Sequence, residues 1–268
     1  MKTVVLVLGF LLSANALAEN VAFDLQGFNF TYQDPKGSGT AESFSRNQKK
    51  AAEQVSLEVG KIAEAFQVNV SGSENQQFLF KDAPSFVMEA QTMTIEGMNF
   101  TFTDHLSLAM DSAEFISEND ELGLDRFNLD CARHTSQVDL LDQVISGCVE
   151  NLKLTSSKFN SVSKKAALMN VLKTISRDKG DLGIKNLELT SKSGKYELAA
   201  DVKAQVSGRA KSNGYLAYDP TTGILTIKIS EVKFGLLNVK KMVFDELKKQ
   251  QSETLQVKEP YVYYHLKN

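Results

Sequence analysis

The sequence predicts a mainly β chain (α+β): a long, curved antiparallel sheet of bulged strands, wrapped around or covered by a few helices. Three observations carry this. A ten-residue pattern that alternates in the manner of a strand, but changes phase at its centre, occurs twice. Apolar residues take every second position from Tyr196 to Ala210, with polar residues at most of the others. Helical stripes, by contrast, are few.

The repeated pattern is Phe23-Asp24-Leu25-Gln26-Gly27-Phe28-Asn29-Phe30-Thr31-Tyr32, echoed by Met93-Thr94-Ile95-Glu96-Gly97-Met98-Asn99-Phe100-Thr101-Phe102. Apolar residues take odd positions before each glycine and even positions after it. Side chains on a strand alternate faces with period two, so one extra residue at the glycine is needed to keep a single face apolar. Gly27 and Gly97 are therefore expected bulges. A third copy, Leu122, Leu124, Phe127, Asn128, Leu129 and Cys131, has Arg126 in the glycine position. Asn29, Asn99 and Asn128 suit either a ligand-binding ladder or the unusual backbone near a bulge, and the second reading is favoured.

Taking the elements in order, residues 1–18 form an expected export signal: Lys2, an apolar run from Val4 to Leu12, and Ala16-Leu17-Ala18 before Glu19. The run is shorter than the roughly 20 residues that a spanning helix needs. Residues 19–268 are expected as one elongated β-rich domain, with 19–160 and 161–268 as sub-regions. Arg46 to Phe66 places Val55, Val59, Ile62 and Phe66 on one stripe, which predicts a helix. Between Cys131 and Cys148, Val138, Leu140, Leu141, Val144 and Ile145 predict a short helix that returns one cysteine to the other. A disulfide is the expected outcome in an oxidising compartment. Ser163 to Arg177 predicts another helix. Tyr196 to Ala210 reads as a single strand, Ser212-Asn213-Gly214 as a tight turn, and Asp219-Pro220-Thr221-Thr222-Gly223 as a turn closed by glycine. Leu225, Ile227 and Ile229 share one face and Val232 and Phe234 the other, so the phase slips near Ser230-Glu231. Val239 to Gln250 predicts a covering helix, and Val262, Tyr264 and Leu266 mark a last strand.

Chemistry is harder to find. A net charge of −3 provides no nucleic-acid footprint, and three histidines and two cysteines leave little for a metal centre. No G-x-S-x-G, H-E-x-x-H or C-x-x-C occurs. His105, His134 and His265 are not tied by spacing. Glu118, Asp120, Glu121 and Asp125 lack calcium-loop spacing and suit a solvated turn, and Lys36-Gly37-Ser38-Gly39-Thr40 lacks the phosphate-loop frame and suits a loop. The expectation is a protein without catalytic residues, metal or cofactor, not an enzyme, exported to the periplasm or beyond, with no transmembrane anchor.

From Gly214 to Asn268, Gly-Tyr-Leu-Ala-Tyr-Asp-Pro is followed by Gly223-Ile-Leu-Thr-Ile-Lys-Ile, the helical stretch Val239 to Lys249, and a final strand. This order resembles the end of bacterial TULIP-like (tubular lipid-binding) periplasmic proteins. The resemblance implies a curved sheet around a helix, with acyl chains or isoprenoids in the groove. The expected function is a non-catalytic binding protein for a hydrophobic, lipid-like ligand, lined by Leu198, Ala200, Val202, Ala204, Val206, Leu225, Ile227 and Ile229. Its driving force would be apolar area removed from water. The alternative is a structural or adaptor protein of the cell envelope, which fills its interior with its own side chains and meets an envelope protein partner by strand addition.

Overall fold

A computed structural model describes residues 22–46, 49–62, 65–71, 76–80, 90–118, 120–137, 139–163, 183–203 and 207–266. The expected export signal and the expected helix beyond Ser163 lie outside them. The fold is mainly β, built of long antiparallel sheet with bulged strands. It packs as two compact units that divide between Gly123 and Leu124.

The first unit holds β1 (Phe23–Gln33), β2 (Lys36–Arg46), β3 (Lys49–Ile62), β4 (Ala65–Ser71), β5 (Gln76–Phe80), β6 (Ala90–Phe102) and β7 (His105–Ser117). Their order across the sheet is β7-β6-β1-β2-β3-β4-β5. The expected phase switch is visible in burial. On β6, Met93 and Ile95 are buried before Gly97, and Met98, Phe100 and Phe102 after it. β7 changes phase as well, from Leu106, Leu108 and Met110 to Ala113 and Phe115.

Two sequence expectations fail here. Where Arg46 to Phe66 is described it is not a helix: Arg46 ends β2, Lys49–Ile62 is β3, paired with β2 on one side and β4 on the other, and Ala65 and Phe66 open β4. Val55 and Val59 are indeed buried together, at 7% and 4% exposure. A spacing of four, however, puts two residues on one face of a strand as well as of a helix. The alternation Val55, Leu57, Val59 and the available ladder partners decide the matter. Likewise Lys36 to Thr40 is not a loop: it opens β2, where Gly37 and Gly39 lie against Phe30.

The second unit holds β8 (Asp120–Ala132), which contains the division, then α1 (Leu140–Glu150), β9 (Asn151–Ser163), β10 (Gly183–Lys192), β11 (Lys195–Lys203), β12 (Gly208–Asp219) and β13 (Ile224–Phe234). It ends with β14 (Leu237–Asn238), α2 (Lys240–Lys249), β15 (Leu255–Lys258) and β16 (Tyr261–His265). The order is β15-β16-β13-β12-β11-β10-β9-β8, with β14 on β13. Tyr196 to Ala210 proves to be a hairpin rather than one strand, since Ala200 pairs with Ala210 and Val202 with Gly208. Ser212-Asn213-Gly214 is not a turn and lies within β12. Its glycine serves close approach, because a Cβ there would sit 1.8 Å from the Lys228 carbonyl oxygen. The Asp219 to Gly223 turn forms as expected, with Asp219 Oδ1 accepting from the Thr221 N–H at 2.9 Å and Oδ2 from the Thr222 hydroxyl at 2.9 Å.

Both helices cover sheet. α1 is capped by Asp139, whose Oδ1 accepts from the Leu141 N–H at 2.8 Å, and it packs on β9, β10 and β12. Its last carbonyls are met by the β10–β11 turn: Ser193 donates to Glu150 O at 2.7 Å and Gly194 to Val149 O at 3.1 Å. Gly147 lets the helix touch the end of β8, where a Cβ would be 1.9 Å from the Ala132 oxygen. One residue along, the Cys131–Cys148 disulfide ties the same two elements, with Cα atoms 4.8 Å apart. Converting both cysteines to serine is expected to lower unfolding stability by about 3 kcal/mol, the loop-closure value for this span. Urea denaturation of the chain with and without the bridge measures it, and an unchanged midpoint would show that the close packing at Gly147 suffices.

Candidate functional site

The residues expected to line an apolar site fall into clusters that the chain fills itself. Ala200 and Val202 are buried with Ile184, Phe234 and Val239. Ile229 is buried with Phe244 of α2 and Val262 of β16, and Ile227 packs against that group. Phe244 has no exposed surface at all. Leu225 is buried and paired with Tyr264, while Leu198 is half-buried. Ala204 and Val206 lie outside the described residues. Removing α2 would uncover an apolar face, but within the fold that face belongs to Phe244.

A second arrangement surrounds the bulges. Gly27 and Gly97 have φ of +60° and +61°, and Arg126 at the equivalent place has +46°. Asn186 on β10 and Gln54 on β3 join them at +49° and +52°. Only glycine takes this left-handed conformation without steric cost. Because β1 and β6 are antiparallel, each asparagine two residues beyond a glycine reaches the other strand's bulge. Asn99 Oδ1 accepts from the Gly27 N–H at 2.8 Å, and Asn29 Oδ1 from the Gly97 N–H at 2.9 Å. Asn29 Nδ2 also donates to Gly27 O at 3.2 Å. The asparagines are thus structural supports of the bulges, as their residue type favours. On β10, Asn186 donates to Asp201 Oδ2 at 2.9 Å, and Arg209 donates to Asp201 Oδ1 at 3.1 Å. The hydrogen bond from Asn186, together with the Arg209 charge, holds the Asp201 carboxyl below its ordinary pKa.

Above the β1 and β6 bulges lies an open groove of about 460 Å³. Its rim is polar: Asn29 and Thr31, Ser38 and Thr40, Ser56 and Glu58, Thr94 and Glu96. Each pair occupies alternate positions of one strand, so all eight side chains rise from the same face. Glu96 accepts from the Ser112 hydroxyl at 2.7 Å. The sequence carried this signal as alternation, but it was hidden where Ser38 and Thr40 read as a loop and Ser56 and Glu58 as helix.

The histidines are not brought together. His105 opens β7 and is exposed, His134 meets Glu150 across the start and end of the α1 region, and His265 ends β16. Among the described residues no three metal-ligating side chains cluster, and no helix is long and apolar enough to cross a membrane. Near α1, the Arg133 guanidinium is buried and donates to Gln143 Oε1 at 2.6 Å, while burial and the hydrogen bond to Asp142 push the Tyr218 hydroxyl pKa up. These groups brace α1 against β8 and β12. No protein-family model, curated protein or solved structure matches the chain.

Substituting the bulge residues separates support from surface. Gly97→Ala is expected to cost about 1–3 kcal/mol, since its backbone is left-handed and a Cβ would meet the Asp111 carboxylate at 2.2 Å. Asn29→Ala is expected to cost about 1 kcal/mol, and Asn29→Asp less, because the acceptor for the Gly97 N–H is retained. Denaturant unfolding of the three variants provides the order.

Proposed function

We propose that this chain is a non-catalytic, exported β-sheet scaffold of the cell envelope that works through protein–protein contacts. The observation that carries the reading is the filling of the apolar strand faces by Phe234, Val239 and Phe244. An adaptor needs a solid interior; a lipid carrier needs that volume for its ligand. The carrier alternative has the sequence resemblance in its favour, whereas the groove among the described residues is hydroxyl-rich and suits a polar partner.

The geometry also argues against the β15 edge for the contact. β15 is an end strand, and its outward N–H groups would otherwise invite strand addition. Val257 N–H donates to Gln251 Oε1 at 2.9 Å and Leu255 N–H to Ser252 Oγ at 3.2 Å. That edge is closed by the chain's own α2–β15 link. The groove over β6, β1, β2 and β3 is the contact face in this reading.

Native mass spectrometry and solvent extraction of the purified mature protein are expected to recover no stoichiometric lipid, and a fluorescent fatty acid is expected not to bind. A photo-crosslinking residue at Thr40 is expected to form one defined adduct in intact cells, and the same residue at Lys258 none. Recovery of one acyl lipid per chain would overturn the scaffold reading in favour of the carrier.

A further inference from the structure

We propose that the turn joining β13 to β14 is a docking tip for the surface of an anionic lipid bilayer. Phe234 pairs with Leu237, leaving Gly235 and Leu236 as a two-residue connection with Gly235 at φ +57°. Leu236 is 100% exposed and Leu237 64%. Met242, in the first turn of α2, is exposed as well. An isolated exposed leucine needs no explanation, but two at the apex of a hairpin do.

The exposure is built in. Phe234 before the turn and Val239 after it are both 5% exposed and belong to one buried cluster. The Val239 N–H donates to Val232 O at 3.0 Å and the Gly235 N–H to Arg209 O at 3.0 Å. With both flanks anchored, the leucines cannot turn inward without unpacking that cluster.

The occupant follows from charge and size. Lys233, Lys240 and Lys241 flank the leucines in sequence, and no acidic residue occurs from Val232 to Phe244. Lys240 is held at the base of the tip by Ser230 O at 3.2 Å, and Lys233 is offset by Glu231 at 2.6 Å. Exposed apolar side chains on a segment that carries lysines and no carboxylate match the interface of an anionic membrane, where the apolar part enters the acyl boundary and the cations stay among headgroups. A protein partner would need roughly 800 Å² per side, far more than two leucines offer. The proposal does not depend on the scaffold reading, because a carrier could dock in the same way.

The chain contains no tryptophan, so Leu236→Trp introduces a single reporter. Its emission is expected to shift to the blue with phosphatidylglycerol vesicles and to be quenched by brominated lipid, and to do neither with phosphatidylcholine alone. In sedimentation with the anionic vesicles, joint Leu236→Asp and Leu237→Asp is expected to weaken binding at least about tenfold and Lys241→Gln roughly fivefold. Far-UV circular dichroism confirms that these exposed changes leave the fold intact. Unchanged tryptophan emission with anionic vesicles, or a double-aspartate variant that sediments like the parent, overturns the proposal. So does a dimer in analytical ultracentrifugation that the double substitution abolishes, which would assign the tip to a second copy of the chain.

Discussion

A strand that buries one face must present every second residue to the core, and it can exchange odd for even positions only by admitting an extra residue. Most long strands of this protein make that exchange. β1 does so at Gly27, β6 at Gly97, β8 at Arg126, β10 at Asn186 and β13 at Ser230. The rest of the architecture follows from keeping those positions tolerable. Left-handed residues need glycine, asparagine or a compensating contact, and the N–H groups displaced from the ladder need new acceptors. In β1 and β6, Gly27 and Gly97 meet the first need, and Asn99 and Asn29 the second. At Arg126 the compensation is side-chain contact: its Nε donates to Ser157 Oγ at 3.1 Å, and Ser157 in turn donates to Asp125 O at 3.0 Å.

In the second unit the sheet's apolar side is closed by helices placed with little freedom. α1 is held at its start by Asp139, at its end by Ser193 and Gly194, and in its last turn by Cys148. α2 has no side-chain cap at Val239 and depends more on burial, with Phe244 as its central contact. The two helices are therefore stabilised differently, α1 by polar contacts at both ends and a covalent tie, α2 chiefly by Phe244 and Leu247, with Asn238 Oδ1 accepting from the Lys240 N–H at 3.1 Å.

How much of this was legible in the sequence depended on whether a pattern had one structural meaning. The bulges did, because no other strand geometry exchanges faces at Gly27 and Gly97. Val55 and Val59 did not, since four residues apart is one face in either secondary structure. The Tyr196 to Ala210 hairpin was hidden by parity: Val202 and Gly208 face each other, partners across a hairpin share a face, and they lie six positions apart, an even number, so the alternation passes through the reversal in phase. Ser212-Asn213-Gly214 had the composition of a turn, but its glycine was needed for a backbone contact that only the β12–β13 register creates. Of the eight residues expected to line a ligand, Ala200, Val202, Leu225 and Ile229 are buried; what fills the space beside Ala200, Val202 and Ile229, Phe234 and Phe244, required knowing where α2 lands.

The exchange of asparagine contacts between β1 and β6 also bears on how the strands find each other. Both carry large apolar residues at alternating positions, Phe28, Phe30 and Tyr32 on β1 and Met98, Phe100 and Phe102 on β6, so a slip of two residues would keep apolar groups on the apolar side and be scarcely penalised by burial. It would, however, separate Asn29 from Gly97 and Asn99 from Gly27 at once. The pair therefore works as a key for alignment, legible only in the correct pairing, in strands whose hydrophobic pattern alone would accept several.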